Sequence, residues 1–183
     1  DLVRSRGLGD VYKRQLLVLG LIDHGATVVV LDLNGEYINL GYSSKGEGSE
    51  YQGKIRVLTP GANLKVTLTQ MNLQVMLNIL IHALSLPGTS AREFRRIWRF
   101  LDERCALTLR ELSEAIRGWK CNQHVRDALF SRYYSLLNSG FFTDNPAEAT
   151  TLEEEFQKIR GGGALIINLQ DVSSVDRQIV VEY

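Results

Sequence analysis

The sequence predicts an α/β protein: a mainly parallel sheet with a helical insertion between its two most legible strands. Three observations lead there. Residues 27–32 (Thr-Val-Val-Val-Leu-Asp) and 164–169 (Ala-Leu-Ile-Ile-Asn-Leu) are short and apolar on both faces, as strands covered by helices on both sides must be. Each follows a helical segment that ends in glycine, the pattern of crossover-linked strands. Between them, residues 72–160 carry helical rather than alternating periodicity.

Along the chain, residues 1–15 mix charges and glycines with no strand or helix period. They resemble translated sequencing-adapter read-through and are expected to be a non-native tail that packs poorly. Residues 16–25 read as the end of a buried helix stopped by Gly25, and the 27–32 strand follows at once. Residues 41–53, rich in Gly, Ser and Glu, form a surface loop. Segment 54–59 alternates and stops at Pro60-Gly61, as a short strand does. Segment 64–68 alternates too and is expected to be another.

The helical block comes next. Residues 72–86 are apolar on most faces and read as a core helix packed on the sheet, ended by Pro87-Gly88. Ser90 with Glu93 has capping-box spacing for a helix carrying Phe94, Ile97, Trp98 and Leu101 on its core stripe. Thr108 with Glu111 caps a short helix, 125–137 forms another stopped near Gly140, and Thr151 starts a third that ends at Gly161-Gly162-Gly163. Ser173 or Ser174 caps a last helix.

Composition narrows the functional classes. A 183-residue chain that is 44% hydrophobic and 23% charged buries a sizeable core. Its formal net charge of zero gives no global electrostatic footprint for nucleic acid or membrane. No run approaches the roughly 18–20 apolar residues that span a bilayer. Cys105 and Cys121 lie too far apart for a CxxC pair, and His24, His82 and His124 are scattered, so no metal site is expected. Two lone cysteines without an export signal suit core thiols in the cytoplasm.

The segment Asp32-Leu-Asn-Gly-Glu-Tyr37 is the most informative for function. Carboxylates just past the carboxyl end of a buried parallel strand sit where open α/β sheets bind ligands. Asp32 and Glu36 are therefore the candidate catalytic residues. Asn34-Gly35, a turn that tolerates positive φ, is the candidate cofactor contact. The plainer reading is a strand followed by a turn. Arg95, Arg96 and Arg99, with Arg92, are candidate DNA contacts because guanidinium forks match phosphate. Their plainer reading is a solvated helix face offset by Asp102 and Glu103. Arg126 and Arg132 beside Tyr133 and Tyr134 admit the same two readings. Gly7-x-Gly9 with Asp32 imitates a dinucleotide-binding fingerprint, but Tyr12 takes the third glycine position and no strand precedes.

Residues 32–37 resemble the Asp-x-x-Gly-Glu-Tyr motif of the HerA branch of the HerA/FtsK superfamily of P-loop ATPases. The block from Gly161 through Asp171-Val-Ser-Ser-Val-Asp-Arg-Gln-Ile-Val-Val-Glu182 resembles a second signature of that family. There Asn168 replaces the usual acidic residue and Gln170 a small hydroxyl residue. The resemblance implies a P-loop NTPase fold of the RecA/ASCE type, with the helical insertion at about 70–160. It implies ATP and Mg2+ as cofactors, double-stranded DNA as substrate, a homo-hexameric ring and, in some pathways, a partner nuclease. End resection, conjugation and phage defence remain open as pathways. No segment matches the Walker A pattern G-x-x-x-x-G-K-[ST]. The resemblance puts that loop before residue 16, and Walker B with the arginine finger beyond Tyr183. The chain is thus expected to be an internal piece that does not bind ATP tightly alone. Two alternatives stand beside it: a helical docking module on an α/β domain, and a Rossmann-like dinucleotide-binding domain.

Overall fold

The computed structural model describes residues 2–43 and 46–183, with side chains from residue 9 onward. In chain order the elements are helix α1 (Leu2–Asp23), strand β1 (Thr27–Asp32), strand β2 (Ile55–Leu58), and helix α2 (Leu73–Asn78), which widens into a π-helical turn at Ile79–Ala83. Helices α3 (Gly88–Asp102), α4 (Leu109–Gly118), α5 (Gln123–Asn138) and α6 (Leu152–Ile159) follow. Strand β3 (Gly163–Asn168) and helix α7 (Ser174–Glu182) complete the order. The chain forms two compact units: Asp1–Thr59 with Thr150–Asp171, and Pro60–Ala149 with Val172–Tyr183.

The first unit is an α/β layer structure. Its sheet has order β1-β3-β2 and is parallel throughout, with Val28 beside Ala164 and Ile55 beside Ala164 on the other side. Strand β3 is central, which explains its unbroken apolar run: Ala164, Leu165, Ile166 and Ile167 are all buried. On one face, Val18 and Ile22 of α1 pack with Ala164, Ile166 and Tyr37, flanked by Val28, Val30, Ile55 and Val57. Each such aliphatic side chain contributes about 1.5–3 kcal/mol when fully buried. Helix α6 covers β3 and β2 on the opposite face, where Val29 and Leu31 of β1 stay half exposed.

Helix α1 ends as the sequence requires. Gly25 has φ +78, its N–H bonds to the Ile22 carbonyl, and the Ala26 N–H reaches Leu21. This is a Schellman closure at glycine. The helix also runs back to Leu2, where no helical period was legible. Its outer turns bury little: Asp10, Tyr12, Lys13 and Arg14 are exposed, and Asp10 pairs with Arg14 at 3.4 Å. An apolar stripe is therefore not needed there. Because Gly7 and Gly9 lie within a helix, the strand-turn-helix context of a dinucleotide fingerprint is absent. The Rossmann-like alternative falls with it.

The second unit is helical. Helix α3 packs on α4, α5 and α2, and the π turn packs on α7. The expected Phe94, Ile97, Trp98, Leu101 stripe is buried. Thr108 Oγ1 accepts the Glu111 N–H at 3.0 Å, and the Asp144 carboxylate accepts those of Leu109 and Arg110, so α4 starts under a double cap. Four expectations change. Segment 64–68 makes only isolated bridges, Val66 pairing with Phe142, because residues 141–143 offer too short a partner between Gly140 and the Asp144 cap. Segment 72–86 belongs to this helical unit rather than to the sheet-bearing one, and buries Met76, Leu77, Ile79 and Leu80 there. Helix α3 begins at Gly88 behind Pro87, not at Ser90, which is buried inside it. Cys105 is exposed rather than core filler.

Glu155 of α6 is the charged anchor of the first unit. It is 6% exposed, and its carboxylate accepts from Arg56 Nε of β2 at 2.9 Å and Lys158 Nζ at 2.5 Å. Burial pushes the Glu155 carboxyl up, but the bonds from Arg56 and Lys158 outweigh it and hold it below the ordinary glutamate range. A depressed folded value adds stability that is complete above the unfolded value, about 4.3. It is lost as pH falls through the folded value. We therefore expect Glu155→Gln to cost about 1–3 kcal/mol at neutral pH and to flatten the acid limb of stability. Thermal midpoints of both proteins from neutral pH downward check this. An unchanged acid limb would assign it to other carboxylates.

Candidate functional site

The carboxyl ends of the three strands carry Asp32, Thr59 and Asn168. The loops that follow β1 and β3 meet there. The Leu169 N–H bonds to the Asp32 carbonyl at 2.8 Å, extending the ladder one step past β3. Asn168 Oδ1 accepts the Gln170 N–H at 3.1 Å, and its Nδ2 donates to Thr59 Oγ1 at 3.5 Å. Asn168 is thus spent on ordering its own loop and tying it to the end of β2.

Asp32 organises the turn after β1. Alternation along the strand points it to the same side as Val28 and Val30, and it is 2% exposed. Oδ1 accepts the N–H groups of Asn34 (3.3 Å) and Glu36 (3.0 Å), and Oδ2 accepts that of Tyr37 (2.7 Å). Three backbone donors around one carboxylate fix the path of the turn. Tyr37, drawn back by this cradle, inserts its ring into the α1 side of the core. The geometry gives Asp32 a positioning role and leaves it little capacity toward a ligand.

Glu36 differs. Its backbone carbonyl accepts from Gln15 Nε2 of α1, while its carboxylate takes a single long bond, 3.4 Å, from Asn34 Nδ2. It is half-buried and retains acceptor capacity at the edge of the sheet. Gly35 has φ +72, as an Asn-Gly turn requires, and the Gln170 amide lies over it. A Cβ on Gly35 would sit 2.0 Å from Gln170 Oε1. The structure therefore brings Asp32, Asn34, Gly35 and Glu36 into one turn and closes the glycine with Gln170. Sequence reading noted Gln170 only as a departure, because its contact with Gly35 spans the two loops.

Mg-ATP does not fit the residues present. The nearest approach to a phosphate loop, Gly48-x-x-x-x-Gly53-Lys54, continues into Ile55 and strand β2. A phosphate cradle needs a following helix N-terminus and a hydroxyl residue. Lys54 lies over the Tyr51 ring instead, at 5.7 Å. Among the described residues no group of His, Cys, Asp and Glu is arranged to hold a metal ion, and no helix is long and apolar enough to cross a membrane.

Arg92, Arg95, Arg96 and Arg99 lie on the exposed face of α3, in the helical unit. Arg96 pairs with Glu93 at 2.9 Å. Among the described residues the other three make no ion pair. Arg96 lines a cleft of about 430 Å³ with Phe100 and Trp119, and Arg99 another of about 450 Å³ with Asp102 and Cys105. Arg126 and Arg132 are internal ties, donating to the carbonyls of Trp119, Leu84 and Ser85.

Two substitutions test the turn. Asp32→Ala should cost about 2–4 kcal/mol, because buried N–H groups lose their acceptor. Gly35→Ala should cost about 1 kcal/mol for its positive φ, plus the displacement of Gln170. Chemical denaturation measures both. A neutral Asp32→Ala would return that carboxylate to the list of ligand groups.

Among known proteins, a family described as Helicase HerA, central domain, matches residues 12–183. No curated protein and no solved structure matches the chain. The motif at 32–37, the second signature around β3 and the parallel order of their strands all lie within the matched span, and the chain belongs to the Helicase HerA central-domain family.

Proposed function

We propose that the chain belongs to an ATP-driven motor that moves on double-stranded DNA, its parent working as a cytoplasmic homo-hexameric ring of the RecA/ASCE type. Family membership over residues 12–183 carries the reading and points to an ATPase or translocase function. The parallel sheet with Glu36 at its carboxyl edge supports it, since open α/β sheets bind ligands at that edge. ATP and Mg2+ would supply phosphoryl transfer when bound in the intact parent. The residues of this chain contribute a positioned turn: Asp32 fixes its path, Glu36 offers an acceptor, and Asn34 orients that acceptor. The exposed arginines of α3 are the proposed contacts to the DNA backbone. The pathway, and with it any partner nuclease, follows from the parent protein. The docking-module alternative loses its main support, because Met76, Leu77, Ile79 and Leu80 of the 72–86 segment are buried.

Two measurements test the reading. Calorimetric titration of the 183-residue chain with Mg-ATP should give no micromolar binding, because charge-assisted phosphate bonds of about 1.5–3 kcal/mol each are missing. In an intact parent, Glu36→Gln should lower DNA-stimulated ATP turnover on the order of a hundredfold and leave the thermal midpoint unchanged. Unchanged turnover would remove Glu36 from the site.

A further inference from the structure

Helix α3 buries one stripe and turns another outward, and the outward one is not purely polar. Glu93, Arg96 and Phe100 follow one another at helical spacing, and Phe100 is 40% exposed although the core beneath is already filled by Phe94, Ile97, Trp98 and Leu101. Beside it the chain leaves α4 at Gly118 and presents Trp119. Trp119 is held at ring and backbone: its indole Nε1 donates to Glu93 Oε2 at 3.0 Å, and its backbone carbonyl accepts from Arg126 Nη2 at 2.9 Å. The Trp119 and Phe100 rings meet at 72° with centroids 5.7 Å apart. The Arg104 guanidinium sits 3.6 Å from the Phe100 centroid, and Lys120 is exposed next to Trp119.

The result is a cleft of about 430 Å³ lined by Glu93, Arg96, Phe100, Gly118, Trp119 and Lys120. Gly118 leaves its floor open, since a Cβ there would meet nothing within 4 Å. One carboxylate, Glu93, faces it, and both its oxygens are engaged, one by Trp119 and one by Arg96. What the cleft still offers is the Trp119 ring, the exposed Lys120, and the nitrogens of Arg96 other than the Nη1 that pairs with Glu93. A rigid aromatic with cations at its rim is the recurring recipe for binding single strands: bases stack on the ring and cations follow the phosphates.

We propose that this cleft takes one unstacked base of single-stranded DNA, with Trp119 as the stacking surface, Phe100 bracing it from the side, and Arg96 and Lys120 on the flanking phosphates. The proposal rests on the DNA reading above and sharpens it. Bases inside a duplex have both faces occupied, so the cleft selects frayed ends and displaced strands. The exposed Arg92, Arg95 and Arg99 of the same helix continue the cationic track.

The test uses the full 183-residue chain and needs no ATP, so its failure is distinct from failure of the motor reading, which the Glu36 variant reads out. Trp98 is buried and Trp119 is the other tryptophan, so quenching of intrinsic fluorescence reports on Trp119. A ten-residue oligothymidylate should bind and quench. An abasic oligomer of equal length, or the matching duplex, should bind about tenfold more weakly without quenching. Trp119→Leu should abolish the quenching and bring oligothymidylate down to the abasic affinity, while Trp119→Phe, which keeps a ring but not the bond to Glu93, restores most of the difference. Lys120→Ala should weaken every oligomer and reduce the salt slope by about one. Equal affinity for abasic and base-bearing oligomers would overturn the proposal. So would equal binding of the duplex, or competition by an oligoglutamate of the same length as effective as the DNA.

Discussion

The buried Asp32 carboxylate is the constraint on which the sheet-bearing unit depends. A charge that is 2% exposed survives only if it is fully hydrogen-bonded, and the backbone of residues 34–37 supplies those bonds. Satisfying the charge therefore dictates the turn. The turn in turn fixes three further features: the positive φ at Gly35, the outward presentation of Glu36, and the return of Tyr37 into the core beside α1. Gln15 of α1 and Gln170 of the loop after β3 close on the same few residues. A turn this heavily tied is a rigid platform, which is what a ligand-positioning edge requires.

The division of labour between the two carboxylates follows from strand alternation. Asp32 is an even-numbered residue of β1 and shares the α1-facing side with Val28 and Val30, so it points into protein. Glu36 lies beyond the strand and escapes that rule. Sequence patterning that marks both as acids near a strand end does not distinguish them; their hydrogen-bond partners do. The same is true of Asn168, which is spent between Gln170 and Thr59.

In the helical unit the arginines show how one residue type serves opposite ends. Arg126 and Arg132 tie off backbone carbonyls where helices stop, including the carbonyls left by the π turn before Ser85. Among the described residues Arg92, Arg95 and Arg99 of α3 have no such partner, and Arg96 pairs with Glu93. All five positions beyond Arg96 read alike as amphipathic-helix cations, because helical spacing places a side chain on a face but says nothing of which carbonyl lies within its reach. Aromatics divide in the same way: Trp98 is core, while Trp119 is fixed at the surface by a bond from its ring nitrogen.

By itself the sequence determined the strands at 27–32 and 54–59, the strand beginning near 164, the glycine stop at Gly25, the Thr108 cap, a serine cap at 173 or 174 and the burial of the Phe94–Trp98 stripe. These depend on local chemistry: periodicity, turn residues and capping oxygens within a few residues of the groups they satisfy. It also carried the family, through two motifs, one in β1 and its turn and one running from β3 through α7. Tertiary structure alone decided the rest. The order β1-β3-β2 places the last strand in the middle, a choice that no local pattern encodes. The 72–86 segment joins the helical unit because α3 and α7 offer its apolar face a partner there. Ser90 gives up its cap because burial favours starting α3 two residues earlier. Asp32 becomes a structural anchor, and Phe100 meets Trp119 across α3 and α4, because hydrogen bonds and ring contacts between distant residues exist only once the chain has folded.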